Sequence, residues 1–131
     1  MKKKIILTIA FLISLLPMLL NQYGGMKGVQ EISGLINLFN PIGIISVLLF
    51  IIGVWVSLKN KKINKILGAL GTIGIVISEM YKFFTWHIMN ITGKMSIQNS
   101  MKFAFPEFYV GVVISLIMIL IYLCIDKIVK E

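Results

Sequence analysis

The chain has 131 residues, 58% of them hydrophobic, and carries a net charge of +8 on 13 basic and 5 acidic side chains. A soluble domain is usually about 45–50% apolar, so this composition, with a mean hydropathy of +0.95, points away from an ordinary soluble fold and toward a membrane class. A bilayer span takes roughly 20 mainly apolar residues; four such spans leave no room for a separate soluble catalytic domain.

The charge is patterned. Every basic residue is Lys, and nine of the 13 fall in three runs, at 2–4, 59–65 and 127–130. Four apolar stretches alternate with the runs, so all three runs lie on the same side of any membrane those stretches cross. Lys-rich segments stay on the cytoplasmic side. The pattern therefore predicts a multi-pass protein of the cell membrane with both termini inside. Orientation and contact with anionic headgroups account for the positive charge, and a nucleic-acid partner is not implied. The absence of Arg, with abundant Ile and Asn, suggests an AT-rich, bacterial coding source.

The fold expected is all-α: a four-helix transmembrane bundle of two antiparallel hairpins. It forms a single polytopic domain over residues 1–131, with spans near 5–23, 41–58, 66–87 and 108–125. The first span starts like a signal peptide, but no small-x-small pattern follows it, so it is read as uncleaved, with Pro17 kinking its outer third. Pro41 suits the first turn of the second span, and Trp55 lies near its inner end. The third span follows Lys65 and ends in Phe83, Phe84, Trp86 and His87. The fourth starts near Phe108 and Tyr109 and carries Tyr122 and Cys124 near its inner end. Trp and Tyr prefer the headgroup level, which supports these limits. Cys124 has no partner for an intramolecular disulfide and reads as a small packing residue.

The two outer loops carry apolar residues at helical spacing. Val29, Ile32, Leu35, Ile36 and Phe39 recur in the first; Ile97, Met101, Ala104 and Phe105 recur in the second, where Ser96 would cap and Pro106 would end the helix. Two short amphipathic helices are expected on the outer face. With Phe103, these residues form a candidate interaction surface for a membrane-protein or peptide partner. A shift of 68 positions places Gly25 on Gly93, Gln30 on Gln98, Gly43 on Gly111 and Lys59 on Lys127. This faint repeat is of the kind that duplicated membrane proteins carry and that chance similarity between apolar helices also produces.

Small residues recur along the spans: Gly53 and Ser57, then Gly68, Gly71, Gly74 and Ser78, then Gly111 and Ser115. Lipid tails are as apolar as Leu, so helix association in a bilayer depends on close backbone approach at such residues. They are assigned to packing within the bundle, with an oligomer as the other use of the same faces. Glu79 is the most informative single residue. It lies inside the third span, where a carboxylate must be paired, hydrated or protonated. Lys82, one turn on, can meet it as an ion pair; the alternative is a proton or cation site at Glu79. His87, the single His, is read as an interfacial polar residue, because a metal site needs several ligands. Asn90-Ile91-Thr92 matches a glycosylation sequon, without consequence in a bacterium.

No enzyme motif is present, and Asp126 and His87 fall on opposite sides, so no catalytic residue, cofactor or metal site is assigned. The leading expectation is a small non-enzymatic membrane protein, an interaction, immunity or accessory protein acting through its outer loops and helix faces. The second is an ion- or proton-coupled transporter subunit using Glu79. The third is a holin-like pore former.

Overall fold

The computed structural model describes residues 1–24, 32–87, 101 and 104–129. Over these residues the chain is mostly helical. Helix α1 covers Lys2–Leu15. It tightens into a 3-10 turn, Leu16–Leu19, where Pro17 supplies no backbone N–H. A short strand β1, Asn21–Tyr23, follows and ends at Gly24, whose φ of 148° is a backbone angle that side chains rarely tolerate. Strand β2 is Ile32–Ser33, and a second 3-10 turn covers Gly34–Asn37. The long helices come next: α2 at Pro41–Trp55, α3 at Lys61–His87 and α4 at Pro106–Ile128.

Two of the four helices, over Lys61–Thr85 and Pro106–Ile128, are long and apolar enough to cross a membrane. The other two are shorter than the expected spans, for identifiable reasons. Pro17 ends α1 at Leu15. At the C-terminal end of α2, the Asn64 amide donates to the carbonyls of Ile52, Gly53 and Val56 at 3.3, 3.2 and 2.5 Å, and its Oδ1 accepts from Leu58 N at 3.1 Å. That side chain satisfies the orphan carbonyls and turns the chain toward α3. The outer end of α2 is set by Asn40, whose Oδ1 accepts from Gly43 N at 3.0 Å with Pro41 in the first turn.

The first outer segment does not form the expected amphipathic helix in its described part. β1 pairs antiparallel with β2, Asn21 opposite Ser33 and Tyr23 opposite Ile32. Gly34 N donates to Leu20 O at 2.9 Å, and the 3-10 turn follows directly. The physical reason is the partner strand: with Asn21–Tyr23 extended alongside, the backbone of Ile32 and Ser33 gains cross-strand bonds that a helix would forgo. Of the second outer segment, Met101 is helical, while Ala104 forms an antiparallel bridge with Tyr23 and Phe105 N donates to Gln22 O at 2.8 Å. β1 thus ties both outer segments to one cap. Val29, Ile97, Phe103 and the Asn90 sequon lie outside the described residues.

Buried positions recur every three or four residues: Leu7, Phe11 and Ser14 on α1; Gly43, Ser46, Phe50 and Gly53 on α2; Gly111, Ser115, Met118, Tyr122 and Ile125 on α4. One apolar cluster, around Phe11, Phe50, Ile75 and Met118, fills the middle; the Phe11 and Phe50 rings stack with centroids 4.0 Å apart. A second, around Tyr23, Phe83 and Phe108, lies under the cap. Yet the buried set also holds Gln22, Asn37, Asn40, Ser46, Thr72, Ser78, Glu79 and Ser115, whereas Ile45, Leu48, Ile77, Val113, Leu120 and Leu123 are exposed. Cys124, expected as a packing residue, is exposed as well.

Candidate functional site

α2 and α3 make the most extensive contact in the molecule, and glycines allow it. A Cβ on Gly53 would run into the backbone of Gly68; one on Gly71 would lie 2.6 Å from Phe50 N and 2.7 Å from Ser46 O; one on Gly74 would strike the Ser46 hydroxyl. Gly68 also faces Tyr122 of α4, whose hydroxyl donates to Lys65 O at 3.1 Å. Four of the small residues named from sequence, Gly53, Gly68, Gly71 and Gly74, therefore sit at the α2–α3 and α3–α4 contacts as backbone approach points. Ser57 does not: it lies beyond the end of α2 and is exposed, because α2 stops at Trp55.

The remaining small residues, Ser78, Gly111 and Ser115, belong to a polar cluster at the end of the bundle away from Asp126. Glu79 is 1% exposed. Its Oε1 accepts a 2.5 Å bond from Ser115 Oγ of α4. Its Oε2 lies 3.8 Å from the place a Cβ on Gly111 would take; the same place is 3.2 Å from Gln22 Nε2. Gly111 thus leaves a gap with the Glu79 carboxylate on one side and the Gln22 amide on the other. The expected ion pair with Lys82 is not formed. Glu79 turns into the bundle, and the Lys82 ammonium lies over the ring of Tyr81, 5.3 Å from its centroid, where the ring face attracts it.

Above Glu79 the cap is bolted on by amides. Gln22 Nε2 donates to Pro17 O at 2.8 Å, and Gln22 Oε1 accepts from Asn37 Nδ2 at 2.7 Å. Tyr23 OH donates to Asn37 Oδ1 at 2.6 Å. Ser78 Oγ donates to Asn37 O and accepts from Asn40 Nδ2, the latter at 2.7 Å. Asn40 Nδ2 also reaches Ile36 O at 2.8 Å. Buried polar groups at this density are tolerated because nearly all find partners.

Four members of this cluster, Gln22, Tyr23, Asn37 and Asn40, were not singled out from sequence. A signal was present: Asn37 and Asn40 are three apart immediately before a Pro-started helix, the position of an N-cap. Of the candidate outer surface, Phe39 and Met101 are exposed, at 68% and 58%, while Ile32, Leu35, Ile36 and Phe105 are half-buried against the bundle. Comparison with known proteins gives no match: no family model, no curated protein and no solved structure is significantly similar to this chain.

At the opposite end, Asp126 of α4 accepts from Lys3 at 2.9 Å and from Lys65 at 3.1 Å. The Lys4 ammonium lies 5.9 Å from the Trp55 ring centroid, and Trp55 Nε1 donates to Thr8 Oγ1 at 2.9 Å. The first two basic runs thus meet at one end of the bundle, at Asp126, which immediately precedes the third.

Proposed function

We propose that the protein is a small, non-enzymatic, multi-pass protein of a bacterial cell membrane that binds and exchanges a proton or monovalent cation at Glu79. The observation that carries this reading is the buried carboxylate itself. Glu79 is buried, holds one hydroxyl donor at 2.5 Å, and among the described residues makes no ion pair. Ionisable groups kept inside a membrane bundle without an ion pair mark proton relays and ion sites. Carboxylate and hydroxyl oxygens, as Glu79 and Ser115 bring together, are also donors that hard cations take.

The membrane assignment draws on the distribution of polarity. The helices expose Ile, Leu and Val and bury Ser, Thr and Glu alongside their apolar core, and the cap buries Gln and Asn, which suits hydrocarbon outside and hydrogen bonding inside. The reading of both termini as inside rests on the positive-inside pattern of the Lys runs, and the meeting of Lys3 and Lys65 at Asp126 supports it. α1 with its 3-10 turn, and α2 with its capped ends, serve as the two shorter spans, which snorkelling Lys side chains and local bilayer thinning accommodate.

The test is proton and monovalent-cation flux in liposomes, wild type against Glu79→Gln at matched insertion. Gln keeps an acceptor for Ser115 and removes the charge. Flux in the wild type that disappears in the variant is the expected result. Equal flux in both, or none in the wild type, overturns the assignment.

A second reading, an interaction or immunity protein binding a membrane protein or peptide, rests on the exposed Phe39 and Met101 of the cap. It predicts that Leu35→Ser with Phe39→Ser abolishes a cellular phenotype while leaving flux unaffected.

A further inference from the structure

The inner end of the bundle contains a cavity of about 520 Å³ that the Glu79 site does not use. Among the described residues, Lys3, Lys4, Lys61 and Lys65 line it, with Asp126 as the acidic lining residue. The four cations come from two segments distant in sequence, the start of α1 and the first two turns of α3. Asp126 is already committed to Lys3 and Lys65, so it offsets a single charge and leaves the wall strongly cationic. The deeper wall is apolar, formed by Leu7, Val54 and Ile125.

We propose that this cavity binds a phosphate anion, supplied either as the headgroup of an acidic phospholipid or as free phosphate. Ammonium groups gathered from separate segments around a pocket, above an apolar wall, match a phosphate that carries acyl chains. Basic pockets between helices on the cytoplasmic side take such headgroups. Lys4 and Lys61 are the residues that answer to the ligand, because Lys3 and Lys65 also hold Asp126. The site is independent of Glu79.

The experiment is native mass spectrometry of the full chain from detergent, titrated with phosphatidylglycerol, with phosphatidylcholine, and with inorganic phosphate. The expected result is retention of phosphatidylglycerol over phosphatidylcholine. It falls roughly thirtyfold in Lys4→Gln with Lys61→Gln, at about fivefold per cation. It is restored by Arg at both positions, and it is unchanged in Lys59→Gln with Lys127→Gln, which removes the same charge outside the cavity. Binding of inorganic phosphate with the same variant dependence, and no preference for phosphatidylglycerol, assigns the site to free phosphate. Equal loss in both double variants reduces the effect to net surface charge and overturns the proposal. So does indifference to headgroup together with no phosphate binding. Circular dichroism and a monodisperse elution profile, identical for all variants, separate these outcomes from misfolding.

Discussion

Asn37→Ala tests how the outer cap is fastened. Asn37 joins β1 to the bundle: its side chain takes a bond from Tyr23 OH at 2.6 Å and gives one to Gln22 Oε1 at 2.7 Å. Truncation removes both bonds. Interhelical hydrogen bonds in membrane proteins average about 0.6 kcal/mol each, which would make the loss about 1 kcal/mol. Burial decides against that low figure. Gln22, Tyr23 and Asn37 are all 0% exposed, so neither orphaned group has bulk water to turn to, and an unsatisfied buried group costs about 1–3 kcal/mol. The expected destabilisation is therefore about 2–4 kcal/mol, measured by reversible unfolding in mixed micelles with increasing SDS. A double-mutant cycle with Gln22→Ala should show coupling above about 0.5 kcal/mol. A cost below about 1 kcal/mol with no coupling would refute the reasoning, since the cap would then be held by apolar contact alone.

Two further variants probe the helix packing and the topology. Gly71→Leu places a side chain where a Cβ already comes within 2.6 Å of Phe50 N; because backbone rather than a flexible side chain must yield, destabilisation of about 3 kcal/mol or more is expected in the same unfolding assay. In a Cys124→Ser background, Phe39→Cys should react with a membrane-impermeant thiol reagent on intact cells, and Lys59→Cys only after permeabilisation; the reverse order would invert the assigned orientation.

Comparison of particular residues separates what was legible in the chain from what was not. The helix cores were legible, because the positions of Pro41, Pro106 and the Lys runs mark their ends by backbone chemistry and charge that act locally. Close approach at Gly53, Gly68, Gly71 and Gly74 was suggested by residue size, a property each glycine carries by itself. The α1 and α2 lengths were less legible: Pro17 is visible in the sequence, but the cap that stops α2 is a side chain, Asn64, nine residues past Trp55 and brought back by the turn.

The sequence alone determined that apolar segments alternate with Lys, that a lone carboxylate lies within one of them, and that small residues line their faces. These are matters of composition and spacing. Only the tertiary structure decided what Glu79 meets. At one turn's spacing Lys82 was the obvious partner, yet Glu79 turns inward to Ser115, 36 residues away, and Lys82 turns to a ring. It also decided that Ile32 and Ser33 pair with a strand and run into a 3-10 turn instead of an amphipathic helix, and that Asn37 and Asn40 are buried. Each of these depends on a partner distant in sequence, and periodicity along one segment carries no information about which distant donor or strand will lie beside it once the helices pack.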